Sequence, residues 1–212
     1  MTAAASSDPA ATRPGWSLTL ALCAALALGS LLLLALAGVA EEGVRTWVRA
    51  TARASVALFL LTFIARPLRQ FVRSDVTRWL LASRRYLGVA AAFAQLLHGI
   101  SLVWLFSRFT RYEPDLVGTL GGGLGFAAYF AMALTSSDRA RAAIGSRAWS
   151  SLHRAGAWWI WFVFLQTNAG NITFAFEKLG VAHRLLYVGI VLALLAALAL
   201  RVAAWARSRS RT

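Results

Sequence analysis

Three histidines, one glutamine and one arginine are the side chains of this sequence whose type and setting suit them to chemistry. His98 lies in FAQLLHGISLVWLF, and His153 opens the stretch SLHRAGAWWIWFVFLQTNAG. Gln166 follows thirteen residues after His153, and Arg53 ends the recurrence Arg45, Arg49, Arg53. All four sit in long apolar surroundings. An ionisable group at the centre of hydrocarbon costs at least ~2.5–3.5 kcal/mol on insertion scales, so each such residue marks a candidate site for ligation or charge pairing. Neutral imidazole is a good ligand for transition metals, whereas an amide oxygen is a weak one. His183 is the blander case: it begins the last apolar run beside Arg184 and reads as an interfacial residue. Cys23 is the single cysteine and lies inside the first apolar run, so a disulfide framework and a cysteine-based zinc or iron–sulfur site are both excluded.

The elements that must position these residues are membrane helices. Of the 212 residues 59% are hydrophobic and only 14% are charged, and nine are tryptophan; the mean hydropathy is +0.63. That is the balance of an integral membrane protein, whose first partner is the lipid bilayer. A net charge of +14 raises nucleic-acid binding, but the arginines lie between apolar runs and form no basic face on a soluble scaffold. No nucleic-acid partner is expected. A spanning helix needs about 20 mostly apolar residues, and six windows qualify: 16–40, 46–65, 85–106, 117–135, 149–167 and 182–206. The fold expected is all-α, a six-helix transmembrane domain over residues 16–206. Residues 1–15 read as a disordered tail rich in small residues, and 207–212 as a basic tail. The first window is too long for the h-region of a signal peptide, so it counts as a helix.

Arginine placement sets the orientation. Arg66, Arg69, Arg73, Arg78, Arg84 and Arg85 cluster in one connection, Arg139, Arg141, Arg147 and Arg154 in another, and Arg207, Arg209 and Arg211 at the end. The intervening connections are nearly balanced: Glu41, Glu42 and Arg45; Arg108, Arg111, Glu113 and Asp115; Glu177 and Lys178. By the positive-inside rule both termini are cytoplasmic and the protein sits in the inner (plasma) membrane. The expected connections, on the order of twenty residues, leave no room for a soluble domain. The glycine run TLGGGLGF falls inside an apolar window, so it is no phosphate cradle. Gly118/Gly122 and Gly121/Gly125 have the spacing that lets helices, or a flat cofactor, approach closely.

Helical rise then sorts the candidates by depth. With ~1.5 Å per residue, His98 lies ~20 Å from the cytoplasmic end of its helix and His153 only ~6 Å from the end of its own, so the two cannot ligate one metal. Gln166, ~20 Å beyond His153, is level with His98. Arg45, Arg49 and Arg53 share one helix face. Snorkelling accounts for the first two, while Arg53, ~10 Å deep, is open equally to snorkelling and to an inward anionic partner. The close succession of Trp158, Trp159 and Trp161 spreads them over several faces, so they read as packing more than as one pocket.

The segments TARASVALFLLTFIARPLR, RRYLGVAAAFAQLLHGISLVWL and LTSSDRARAAIGSRAWSSLHRAGAW, in this order on a six-helix plan, resemble the ferric-reductase-like transmembrane domain. Within it the chain is most similar to small stand-alone bacterial members, which include the haem-binding membrane subunit of the methionine-sulfoxide reductase system. The resemblance implies b-type haem held between helices and electron transfer to a periplasmic-side acceptor. It puts the third-helix ligand on His98 and the first fifth-helix ligand on His153. The family's second fifth-helix histidine falls on Gln166, a departure that weakens the outer site. With no flavin or nicotinamide domain expected, the electron donor is a separate protein or a quinol, and any oxidoreductase activity needs that donor. The alternative is a haem-free bundle acting as a membrane interaction subunit or small-solute binder.

Overall fold

Each apolar window forms a helix, and the helices of the second, third, fifth and sixth windows run past them, whereas the first ends at Ala37, short of its window. The computed structural model describes residues 15–109 and 116–210, and those residues form seven helices and no strand. They are α1 (Trp16–Ala37), α2 (Glu41–Phe71), α3 (Asp75–Arg108), α4 (Leu116–Leu134), α5 (Asp138–Ile144), α6 (Ser146–Lys178) and α7 (Val181–Arg209). The all-α expectation holds. The connection expected between the second and third windows is instead mostly helix: α2 continues through Pro67 to Phe71 and α3 begins at Asp75. The arginines of that region therefore project from helix ends and not from a long loop. A second difference is α5, a short helix within the other arginine-rich connection. Residues 1–14 of the expected tail, the connection bearing Arg111, Glu113 and Asp115, and Arg211 lie outside the described residues.

Four helices, α1, α2, α3 and α7, are long and apolar enough to cross a membrane. The apolar stretch of α4 is shorter, 118–134. Helix α6 has the length, but His153, Arg154, Gln166, Thr167, Asn168 and Asn171 dilute its apolar character. The polarity that removes α6 from the apolar set is also what equips it to line a polar cavity.

Local signals fix the helix ends. Ser74 caps α3 through its hydroxyl, which accepts from the Thr77 amide at 3.3 Å while the Thr77 hydroxyl accepts from the Ser74 amide at 3.2 Å, a reciprocal capping box. Glu41 and Glu42 occupy the first turn of α2, where they complement the helix dipole. Both are also ion-paired, Glu41 with Arg45 at 2.6 Å and Glu42 with Arg49.

Helix α2 packs most extensively on α3, and α7 closes the bundle against α6 and α2, with α4 on α6 and α1 over α2 and α3. The core where these meet contains Val56, Phe59, Phe63, Ala91, Ala92, Tyr129, Ile160, Phe164 and Leu194, all buried. Two tryptophans tie helices together by donating to carbonyls, Trp161 to Leu194 at 3.0 Å and Trp159 to Gly121 at 3.3 Å. Many of the leucines on α1 and α7 are exposed, as lipid-facing residues should be.

The turn from α1 to α2 is the tightest point. A Cβ on Gly43 would fall 2.0 Å from the Gly38 carbonyl oxygen and 2.7 Å from that of Ala37. Both obstacles are backbone, so Gly43→Ala forces the turn open. We expect it to destabilise the folded chain by roughly 1–3 kcal/mol, the cost of overpacking a close contact. Thermal unfolding in detergent, with Gly123→Ala as the control whose Cβ meets nothing within 4 Å, checks this.

Candidate functional site

The inner stripes of five helical segments enclose one cavity of about 390 Å³, within the ~300–1,000 Å³ usual for cofactor and ligand sites. Helix α2 contributes Arg45, Val48, Arg49, Ala52, Arg53 and Val56, and α3 contributes Gln95, His98, Leu102 and Leu105. Helix α4 supplies Gly122, Gly125, Phe126 and Tyr129, and α6 supplies Ile160, Val163, Phe164, Thr167, Asn168 and Asn171. Tyr187 of α7 completes the wall. Each set repeats at three and four residues, the spacing of one helix face.

His98 is half-buried in this wall, with Nδ1 3.2 Å from the Val48 carbonyl oxygen and 3.5 Å from the Thr51 hydroxyl. A carbonyl can only accept, so Nδ1 carries the proton and Nε2 keeps its lone pair. That is how ligating histidines are commonly oriented, with one ring nitrogen spent on a carbonyl and the other left as ligand. Phe126 lies parallel to the imidazole, 6.2 Å away between ring centres.

The basic face of α2 grades from paired to unpaired. Arg45 bonds Glu41, and Arg49 bonds Glu42 and the Thr46 hydroxyl. Arg53, one turn deeper, has Nε and one Nη buried without a hydrogen-bond partner, and its guanidinium sits 5.9 Å from the Tyr187 ring centre. An orphaned guanidinium in a cavity wall is a site for an anion. On the far side, Gly122 and Gly125 bring no side chain into the cavity; a Cβ on Gly122 would meet nothing within 4 Å.

Below the cavity lies a buried polar contact. The Ser55 hydroxyl lies 2.9 Å from the Gln95 side-chain oxygen and 3.3 Å from the Tyr129 hydroxyl, and all three residues are buried. Gln95 and Tyr129 also line the cavity, so this network fixes its floor. Sequence inspection had passed over Gln95, Tyr129, Tyr187, Thr167, Asn168 and Asn171. Their signal was polar residues recurring at helical spacing inside apolar windows.

The structure does not bring the remaining candidates to this cavity. His153 sits in a separate corner, stacked on Trp149 at 4.2 Å with Nε2 3.2 Å from the Thr135 hydroxyl. That hydroxyl's proton is directed to the Ala131 carbonyl at 2.7 Å, so it accepts from His153, whose Nε2 carries the proton and whose Nδ1 keeps the lone pair. The two histidines thus hold opposite tautomers in separate surroundings. Gln166 is exposed and off the cavity lining; the residues beside it, Thr167 and Asn168, are on that lining. Among the described residues no group of three or more His, Cys, Asp or Glu is arranged to hold a metal.

Two motifs noted in the sequence meet in space. Arg85 of RRYLG donates to both carboxylate oxygens of Asp138 of TSSD at 3.0 Å, and its guanidinium lies 5.3 Å from the Trp16 ring. Arg84 turns the other way and donates to the Thr62 carbonyl at 3.0 Å. A half-buried cation on α7 that sequence inspection did not single out is Arg201, whose guanidinium lies 4.0 Å from the Phe63 ring and 5.1 Å from that of Trp158.

These features are those of a multi-pass helical membrane protein with a polar, cation-lined interior site. The family described as ferric reductase like transmembrane component matches residues 51–165, more than half of the chain, and the chain belongs to that family. The match begins one turn before Ser55 and takes in Arg53, His98 and His153. The chain is also 33% identical over 103 residues to the protein-methionine-sulfoxide reductase heme-binding subunit MsrQ of Azospira oryzae, a match that covers 45% of this chain and 42% of that protein. No solved structure matches.

The floor network yields a stability test. Ser55→Ala leaves Gln95 and Tyr129 without their shared partner and should cost about 1–3 kcal/mol, whereas Tyr129→Phe leaves the Ser55–Gln95 bond intact and should cost about 1 kcal/mol or less. Unfolding midpoints in detergent should fall in that order.

Proposed function

We propose that the chain is a membrane electron-transfer protein that binds b-type haem in the cavity beside His98. The observation that carries this reading is the pairing of His98, its Nδ1 proton spent on Val48 and its Nε2 left as a ligand, with the unpartnered guanidinium of Arg53 in the same wall. A haem bound there would supply one-electron redox chemistry. His98 would ligate the iron, Arg53 would hold a propionate, and the glycine face of α4 would accept a flat ring. The relative's printed description as a heme-binding subunit supports the same reading.

The opposite wall departs from a two-histidine site. Helix α6 presents Thr167, Asn168 and Asn171 to the cavity, and the Asn168 amide already donates to the Phe164 carbonyl at 2.8 Å. No imidazole faces the cavity from this wall, so a haem bound there would be held by histidine from the His98 side only. His153 is a second candidate ligand near the other end of the bundle, through Nδ1.

In the arrangement we favour, six helices cross the inner membrane between residues 16 and 206, with both termini cytoplasmic. The basic C-terminal residues Arg207 and Arg209 occupy the last turn of α7. Electrons enter from a separate donor protein or a quinol and leave to a periplasmic-side acceptor, which for a protein of this resemblance includes a methionine-sulfoxide reductase. A haem-free interaction subunit is the second reading, favoured by the absence of a histidine on the α6 wall of the cavity.

Oxidised and dithionite-reduced spectra of the purified chain separate the two. We expect a Soret band, lost or strongly shifted in His98→Ala; no Soret band from cells supplied with haem establishes the haem-free reading. Asn168→His should convert the iron to a low-spin, six-coordinate form, while Gln166→His, off the lining, should leave the spectrum as it was. The reverse pattern would return Gln166 to the site. Arg53→Leu should weaken haem retention while keeping the ligand-field bands.

A further inference from the structure

A second cavity, of about 610 Å³, lies at the opposite end of α2, where it meets the end of α7. Its lining contains Arg66 and Arg69 of α2, Arg73 just past the end of that helix, and Arg207 of α7, with Leu81 of α3 alongside and no acidic residue. Among the described residues none of these four arginines forms an ion pair; Asp75, the acid in the adjoining first turn of α3, is taken by Arg78 at 2.7 Å. Arg66 also lies within repulsive range of Arg84 and Arg201, so positive potential extends from the cavity into the bundle.

Mutual repulsion should scatter such side chains, yet two are held. Arg69 donates to the Ser74 carbonyl at 3.4 Å and the Thr77 hydroxyl at 3.3 Å. Arg207 donates to the Gln70 carbonyl at 3.4 Å and covers the Phe71 ring at 5.2 Å. Both anchors leave donors of the guanidinium fork unspent. Several guanidiniums gathered from two helices with no carboxylate between them make a receptor for a multiply hydrogen-bonding oxyanion, which in size and donor demand means a phosphate ester.

We propose that this cavity binds a phosphate ester, and that its source is the headgroup of an anionic phospholipid. The neighbourhood favours a lipid over a soluble phosphate. Exposed Phe71, Val72 and Leu81 border the arginines and give acyl chains an apolar surface to lie on. Basic pockets between transmembrane helices recognise anionic headgroups by this combination of charge and adjoining hydrocarbon. The inference stands apart from the haem reading, since it uses none of the residues of the first cavity.

The test is the unfolding midpoint of the full chain in neutral detergent, followed by tryptophan fluorescence. The titrants are short-chain phosphatidylglycerol, short-chain phosphatidylcholine, and sodium phosphate against sodium chloride at equal ionic strength. The expected result is a saturable rise with phosphatidylglycerol only. In the double variant Arg66→Gln/Arg207→Gln the half-saturating concentration should rise about thirtyfold, from about fivefold for each arginine removed. Arg139→Gln, which removes one charge at an exposed position outside the cavity, should keep the wild-type value. Should the double variant not fold, Arg73→Gln alone should give the fivefold step. A rise with inorganic phosphate as well would keep the phosphate site and make its ligand a soluble one. No rise with either anion, or a response that Arg139→Gln weakens as much as Arg73→Gln does, overturns the proposal.

Discussion

The bundle is organised by the absence of water around it. In hydrocarbon an unmatched polar group has no solvent to fall back on, and most polar side chains of the bundle are spent on a nearby partner. Ser30, Thr51, Thr62, Ser101, Thr135 and Ser136 each return a hydroxyl proton to a carbonyl three or four residues earlier. Ser55, Gln95 and Tyr129 satisfy one another. Against that background the unspent nitrogens of Arg53 and Arg201 stand out. They are charged, they lie on the inward faces of different helices, and the structure gives them aromatic rings in place of anions. A cation over a ring recovers only about 0.5–2 kcal/mol, less than a paired guanidinium would. The membrane constraint therefore singles out two positions, and one of them is in the wall of the main cavity.

Helix α2 is the element on which the separate regions depend. Its first turns carry the graded series from Arg45 to Arg53, its middle carries Ser55, Phe59 and Phe63, and its end carries Arg66 and Arg69, with Arg73 two residues past it. Between the two cavities runs a chain of ring contacts, Tyr129 to Phe59 at 6.5 Å, Phe59 to Phe63 at 5.1 Å and Phe63 to Trp158 at 5.6 Å. Rings packed at these separations, the first and last pairs edge to face and the middle one tilted, make a rigid core. They hold the polar sites apart and keep the cations at each end from sharing one aqueous path.

The helical class, the arginine-rich end and the depths of His98 and Arg53 were legible in the sequence because each rests on composition or on helical rise. Depth follows from rise alone. Azimuth does not: two residues beyond Phe164 a helix has turned by about 200°, so Phe164 faces the core while Gln166 is exposed and off the cavity lining. The lengths of α2 and α3 were underestimated for a related reason. Hydropathy ends where arginine begins, but arginine is a good helix former, and the helices continue beyond the hydrocarbon to the Ser74 cap. The link between RRYLG and TSSD could not be read at all, because 53 residues separate Arg85 from Asp138 and only the fold brings them together.

What orients His98 is the backbone, and this follows from the residues around it. A carbonyl inside a helix is normally shielded by the side chains of its own turn and by the neighbouring helix. Here α3 presents Ala90, Ala91 and Ala94 on buried positions against the bundle, and Ala52 lies on the α2 cavity face. Small residues allow close helix approach, and α2 and α3 make the most extensive pairing in the bundle. Close approach is what lets a ring on α3 reach the carbonyl of Val48 on α2. No substitution at Val48 removes that acceptor, so the orientation of His98 is set by the separation of two helices and not by any one side chain. Enlarging an alanine on the buried face of α3 would disturb the imidazole from a distance, by moving the carbonyl that holds it.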